Sequence, residues 1–157
     1  MKINGIGNIS DIFSIFHDGG IVKCDREHDQ LIIEVEIEYL AQRVNPEFTK
    51  FVVCLSGAEN IQFSTWPSDL KSPPEVLVDE SLIFEPELEI LESNVKDGAI
   101  QVICNQHSHE LDYCGGELSF IAKSAEVTDE AEKVYSLEEL DTICKEYWDE
   151  WSNKNKA

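Results

Sequence analysis

One segment of the chain restricts the fold more than any other, because it alternates between apolar and acidic side chains. Between Leu31 and Leu40, the apolar set is Leu31, Ile33, Val35, Ile37 and Tyr39, and the acidic set is Glu34, Glu36 and Glu38. Successive side chains of a strand point to opposite faces, so this period of two predicts an antiparallel strand with one buried and one solvated face. The chain is therefore expected to build an antiparallel sheet.

Turn signals elsewhere predict a series of short hairpins. The expected pairs are 21–25 with 30–40, 49–55 with 60–66, 87–92 with 99–105, and 111–114 with 117–124. Asp97-Gly98 is a typical two-residue hairpin turn, and Gly115-Gly116 is expected to turn the chain in the last pair. Residues 75–85 fit either a short strand or a helical turn.

One helix is predicted near each end of the chain. Residues 10–16 form the first, with Ser10 or Asp11 as its cap. The second begins at a capping box, Ser136 with Glu139 three residues later, and carries an apolar stripe that ends at Trp151. The fold class is therefore α+β: about eight antiparallel strands in a curved sheet or sandwich, with a short N-terminal helix and a C-terminal amphipathic helix. All 157 residues are assigned to one domain, with 152–157 as a frayed tail.

The charge balance narrows the possible partners. The chain has 32 Asp and Glu residues against 12 Lys and Arg residues, a net charge of −20. Such a surface repels nucleic-acid phosphate and anionic membranes, and no apolar run approaches the roughly 20 residues that span a bilayer. No signal peptide is visible, and five scattered cysteines indicate reduced thiols in the cytoplasm. Cys24, Cys54 and Cys144 lie in apolar-periodic segments and are expected in the core.

Two groups of residues could carry chemistry. His17-Asp18 could form an acid–base pair or a metal site, but adjacent residues before Gly19-Gly20 are more typical of a turn, in which the glycines supply positive φ. Cys104, His107, His109 and Cys114 are zinc-preferring ligand types, yet their spacing matches no common zinc pattern. Cys104 also shares a strand face with Ile100 and Val102, which favours burial. We therefore expect no metal and no cofactor.

Two acidic surfaces are candidates for binding a basic protein. The first is the row Glu34, Glu36 and Glu38. A similar alternation occurs at Glu85, Glu87 and Glu89. The alternative interpretation of such a row is a sheet face that is only solvated. The second is the C-terminal helix, with the acids Glu138, Asp141, Glu146 and Asp149 and the aromatic residues Trp148 and Trp151. These two tryptophans are either core residues or an interface anchor.

Four short segments of the chain resemble those of small bacterial domain families with an early Phe-His-Asp segment. They are Phe16-His17-Asp18, Phe63-Ser64-Thr65-Trp66, Gly115-Gly116-Glu117-Leu118 and the closing Tyr147-Trp148. Some of those families are classed as immunity proteins of contact-dependent or polymorphic toxin systems. The resemblance implies a bacterial domain without enzymatic activity.

Three functional hypotheses follow. The first is a cytoplasmic, non-enzymatic interaction protein, of the type of an immunity inhibitor that binds a basic toxin. The second is a metal-dependent or hydrolytic enzyme that uses His17, Asp18, His107 and His109; no nucleotide-binding, hydrolase or zinc-protease motif accompanies them. The third is an acidic globular domain whose charge confers only solubility.

Overall fold

The structure is a computed structural model that describes residues 2–154. Its strands are β1 (Ile3–Asn4), β2 (Gly20–Glu27), β3 (Gln30–Glu36), β4 (Lys50–Ser56), β5 (Glu59–Pro67), β6 (Val76–Leu77), β7 (Leu88–Lys96), β8 (Ala99–Gln106), β9 (Tyr113–Ile121), β10 (Ser124–Thr128) and β11 (Val134–Tyr135). Its helices are α1 (Ile6–Ile15), α2 (Glu38–Ala41), α3 (Glu80–Ile83) and α4 (Leu137–Lys154).

All strand pairs in the described residues are antiparallel, and they form one open sheet of eleven strands. The order is β1-β10-β4-β3-β2-β7-β8-β9-β5-β6, and β11 also pairs with β10. This confirms the predicted α+β class with a mainly antiparallel sheet. Eight of the strands have five or more residues, and the additional three are two-residue strands that sequence periodicity could not show.

Helix α1 packs against the apolar face of the sheet. Its residues Ile9, Ile12 and Phe13 are fully buried, and the Phe13 ring meets Phe120 of β9 edge-on at 5.8 Å. The helix starts at Ile6 after Gly5, so the prediction that Ser10 or Asp11 caps it is wrong. Ser10 instead lies inside the helix, where its hydroxyl bonds that of Ser93 on β7 at 2.7 Å.

The strands β4 and β5 are present but do not pair with each other, which corrects the predicted hairpin. β4 lies between β3 and β10, whereas β5 lies between β9 and β6. A tight turn with Gly57 at φ 66° carries the chain from one half of the sheet to the other. Alternation shows which side chains face the core, and that pattern is the same whether or not consecutive strands pair.

The Gly115-Gly116 pair lies inside β9 rather than between two strands, so the last predicted hairpin is also wrong. Both glycines are buried, and a Cβ atom on Gly116 would collide with the backbone oxygen of Ser64 and lie 2.7 Å from the Phe63 ring. Glycine here permits the close approach of neighbouring strands. The sequence alone does not distinguish this role from a turn. The Asp97-Gly98 hairpin is confirmed, with φ values of 53° and 77°.

The predicted strand 30–40 ends at Glu36, because Glu38 begins the short helix α2. Residues 75–85 contain both of the alternatives that were left open, strand β6 and helix α3. The predicted core positions Cys24, Cys54 and Cys144 are only half-buried, whereas Cys104 is fully buried. Helix α4 includes residues 152–154 of the segment that was assigned to the tail, and residues 155–157 lie outside the described residues.

Candidate interaction surface

A groove runs between α1 and the first half of α4, with a volume of about 530 Å³. We call it the α1/α4 groove; it is lined by Asp11, Ser14, Ile15, Leu137, Glu138, Asp141 and Cys144. Ile15 is buried, and Leu137 and Cys144 are half-buried, so they form an apolar floor. Three carboxylates stand on its walls. The groove therefore combines negative charge with apolar contact surface.

The start of α4 is fixed by the predicted capping box. The backbone N–H of Glu139 donates to Ser136 Oγ at 3.1 Å, and the backbone N–H of Ser136 donates to Glu139 Oε1 at 3.0 Å. The bond from the Ser136 backbone N–H, followed by the Ser136 hydroxyl and with smaller help from Lys133, holds the pKa of the Glu139 carboxyl below its ordinary value. Leu140 follows as the only fully buried side chain of the helix in the described residues.

The second half of α4 is held by aromatic contacts and an ion pair. Tyr39 of α2 packs on Tyr147 at 4.6 Å and on Trp148 at 5.9 Å. The Arg43 guanidinium donates to both carboxylate oxygens of Glu150 and lies 3.9 Å from Glu146. This anchoring places the first half of the helix beside α1 and leaves the groove between them.

The predicted aromatic anchor divides into two different environments. Trp148 is half-buried, stacked on the His17 ring at 5.4 Å with an interplanar angle of 18°. Its indole nitrogen is buried; it interacts with the Cys144 thiol but makes no contact of hydrogen-bond geometry within residues 2–154. Trp151 packs edge-on against Trp148 at 5.7 Å and remains 51% exposed. Trp148 therefore positions α4, whereas Trp151 leaves about half of its side chain exposed to solvent.

The carboxylates of the α1/α4 groove are only partly neutralised within the described residues. Asp141 pairs with Lys145 one helical turn later at 2.9 Å, whereas Asp11 and Glu138 form no salt bridge in residues 2–154. Glu138 also borders a second groove of about 390 Å³ on the other side of α4. Burial, followed by the charge of Asp141, raises the pKa of the Cys144 thiol in the floor, so this thiol is neutral at physiological pH.

The first acidic surface is not the continuous row that alternation predicted. Glu34 is half-buried, with its carboxylate 2.5 Å from Lys50 Nζ and 3.8 Å from Lys23 Nζ. Glu36 is exposed at the end of β3, and Glu38 belongs to α2. The repeat at Glu85, Glu87 and Glu89 also fails, because only Glu89 is in a strand. The row is therefore broken by a change of element and by two lysines.

His17 and Asp18 form a turn, as their structural interpretation predicted. His17 Nδ1 donates to the Ser14 carbonyl at 2.9 Å, and Tyr39 Oη donates to the His17 carbonyl at 2.7 Å. Asp18 itself has positive φ, 69°, and its backbone N–H donates to Ile90 O at 2.8 Å. Gly19 and Gly20 do not supply the positive φ that was expected of them; Gly19 instead lies close to the Phe16 carbonyl.

The four residues considered as zinc ligands are not brought together. Cys104 is fully buried, and burial raises the pKa of its thiol to about 12. Cys114 is exposed, and His107 Nε2 lies 3.2 Å from Glu89 Oε1. His107, His109 and Cys114 border a shallow cavity of about 370 Å³, but no three potential ligands within residues 2–154 are placed to hold a metal ion.

The sequence indicated Glu138 and Asp141 as binding residues but did not associate Asp11 with them. Asp11 and Glu138 lie near opposite ends of the chain, and only the packing of α1 against α4 brings them to one groove. The available signal was weak: Asp11 lies on the polar side of α1, opposite the buried Ile12 and Phe13. Glu146 and Asp149 lie farther along α4 and do not line the groove.

Comparison of the chain with protein-family models, with curated proteins and with solved structures finds no match. Within residues 2–154, no helix combines the length and the apolar content needed to cross a membrane.

Proposed function

We propose that this protein is a non-enzymatic interaction protein that binds a basic protein through the α1/α4 groove, in the manner of an immunity inhibitor that neutralises a toxin. The observation that carries the proposal is the groove itself, in which Asp11, Glu138 and Asp141 surround an apolar floor. A lysine or arginine side chain has the matching chemistry, with an aliphatic stem for Ile15 and Leu137 and a cationic head for the carboxylates.

The net charge of −20 supports the same proposal at longer range. Complementary charge accelerates encounter and discriminates against wrong partners, while the buried contacts determine how long a complex lasts. Five free cysteines fit a reducing compartment, so we place the protein in the cytoplasm. The resemblance of Phe16-His17-Asp18 and the other short segments to immunity-type families is a separate line of support.

A protection assay tests this proposal. Each gene that neighbours the one for this chain is expressed in a bacterial host, alone and together with the chain. We expect one neighbouring product to be basic, to arrest growth when expressed alone, and to be tolerated when the chain is present. If no neighbour arrests growth, or if the chain gives no protection against one that does, the immunity assignment is wrong.

Two triple variants locate the binding surface in the same assay. Asp11→Asn with Glu138→Gln and Asp141→Asn removes three charges from the α1/α4 groove. Glu34→Gln with Glu36→Gln and Glu38→Gln removes three charges elsewhere, so the two variants have equal net charge. Protection should be lost with the groove variant and kept with the other; the reverse result would place the interface on β3 and α2.

A further inference from the structure

The sheet face opposite α1 carries another concave surface with different chemistry, on strands β5, β9, β8 and β7. Its volume is about 330 Å³, and its polar lining includes Gln62, Ser64, Lys96, Gln101, Glu117 and Ser119. We call it the amide groove. The intervening residues Phe63, Leu118 and Val102 are buried on the other face, so alternation directs the lining side chains outward.

Strand register places neutral hydrogen-bonding side chains side by side in the amide groove. Gln62 lies opposite Ser119, and Ser119 lies opposite Gln101, which gives one polar residue on each of three neighbouring strands. Asn94 of β7 pairs with Gln101 and extends this row beyond the residues that line the groove. In the next row, Ser64 lies opposite Glu117. Adjacent strands are about 4.8 Å apart and the rows about 7 Å apart, so several of these side chains can contact one polar ligand at the same time.

The hydrogen-bonding capacity of these side chains is not used inside the protein. Within residues 2–154, the side chains of Gln62, Ser64, Gln101, Glu117 and Ser119 form no hydrogen bond or ion pair. Gln106 on the same strand as Gln101 behaves differently, because its amide nitrogen donates to the Tyr113 carbonyl at 2.7 Å. Four of the five, all except Gln62, are half-buried, so their orientations are restricted before any ligand arrives.

From these observations we infer that the amide groove is a binding site for a neutral oligosaccharide. Amide and hydroxyl groups both donate and accept, as sugar hydroxyls require. The charged lining residues Lys96, Asp97 and Glu117 can also form hydrogen bonds with hydroxyl groups. Trp66 lies two residues beyond Ser64 on the same face of β5, against the Gly115 backbone, and offers a ring for the apolar side of a second sugar. This site is on the opposite face of the sheet from α1 and is independent of the proposed function.

Nuclear magnetic resonance of the ¹⁵N-labelled full chain tests the inference with cellotriose, maltotriose and triacetylchitotriose as probes. At millimolar concentration, at least one of these neutral trisaccharides should shift the side-chain amide signals of Gln62 and Gln101 and the indole signal of Trp66. Gln101→Ala should weaken that binding about tenfold, the usual effect of losing one good hydrogen bond. Gln42→Ala, on the exposed end of α2, is the matched control and should leave the affinity unchanged.

Two results would overturn the inference. One is the absence of shifts at Gln62 and Gln101 with all three probes while thermal unfolding shows the chain to be folded. The other is a stronger response to a cationic chitosan trisaccharide that disappears with added salt, because the acidic charge of the protein rather than the amide groove would then be responsible.

Discussion

Replacing Gly116 with alanine should destabilise the fold strongly, because β9 passes close to β5 at this position. The new Cβ atom would lie 2.7 Å from both Cε1 and Cζ of Phe63 and closer still to the Ser64 carbonyl oxygen, well inside the 3.0 Å that real Cβ atoms keep. The Phe63 ring is fully buried, and the carbonyl belongs to the sheet backbone, so neither obstacle can move freely. Overpacking of this kind costs about 1–3 kcal/mol, and we expect the upper end.

Urea unfolding followed by circular dichroism measures this effect. With a denaturant slope of about 2 kcal/mol per molar urea, a loss of about 2–3 kcal/mol lowers the midpoint by roughly 1–1.5 M. Gly7→Ala is the matched control: Gly7 lies in α1 with open space around it, and alanine there should stabilise by about 0.5 kcal/mol. A midpoint for Gly116→Ala equal to that of the wild type would refute the close approach and favour a solvent-exposed turn at this position.

Two further predictions concern the capping box and the thiols. Ser136→Ala should lower the free energy of unfolding by about 1 kcal/mol, because the backbone N–H of Glu139 loses its acceptor. Thermal unfolding measures this change, and a stability equal to that of the wild type would contradict the cap. The pKa of the Glu139 carboxyl is lowered in the folded state, so its contribution to stability is present above its ordinary pKa of 4.5 and is lost as the pH falls below that value. Glu139→Gln should therefore lose less stability in acid than the wild type does. A pH profile of stability that is the same in both proteins would contradict the capping role. Burial raises the pKa of the Cys24 and Cys104 thiols to about 12, whereas Cys114 is exposed. After brief alkylation of the native protein at pH about 8, mass spectrometry should therefore find the adduct at Cys114. Fast modification of Cys104 would show that β8 is not packed as described.

The features that could be predicted from sequence are those fixed by short-range patterns. Alternation identified the buried face of β3, the Asp97-Gly98 pair gave a correct hairpin, and Ser136 with Glu139 marked the start of α4. In each case a few neighbouring residues determine the local backbone or the face that is buried. No short-range pattern of this kind shows which distant strands pair or which helices pack together.

The wrong predictions share one physical reason: a local pattern was compatible with two arrangements. Consecutive strands β4 and β5 have the inward-facing pattern of hairpin partners, yet Leu55 of β4 pairs with Leu31 of β3 and Ala125 of β10. Gly115-Gly116 fits either a turn or a close approach of strands. Glu38 continues the alternation of β3, but the strand ends at Glu36 and Glu38 begins α2.

The candidate site was only partly predictable for the same reason. Glu138 and Asp141 belong to a single helix, so the pattern of that helix was enough to select them. Asp11 joins them only through the packing of α1 against α4, and Glu34 leaves the acidic surface because Lys50 from the neighbouring strand neutralises it. Contacts between elements distant in sequence therefore decide which acids remain available to a partner.

The most direct test of the central claim is to map where a basic ligand contacts the protein. Hexaarginine is titrated into the ¹⁵N-labelled full chain at low salt, where charges interact over about 10 Å or more. The account predicts that the largest backbone shifts cluster at Asp11, Ile15, Glu138 and Asp141, and that the Asp11→Asn, Glu138→Gln, Asp141→Asn variant loses them. Shifts spread evenly over all acidic residues, or centred on Glu36 and Glu38, would contradict it.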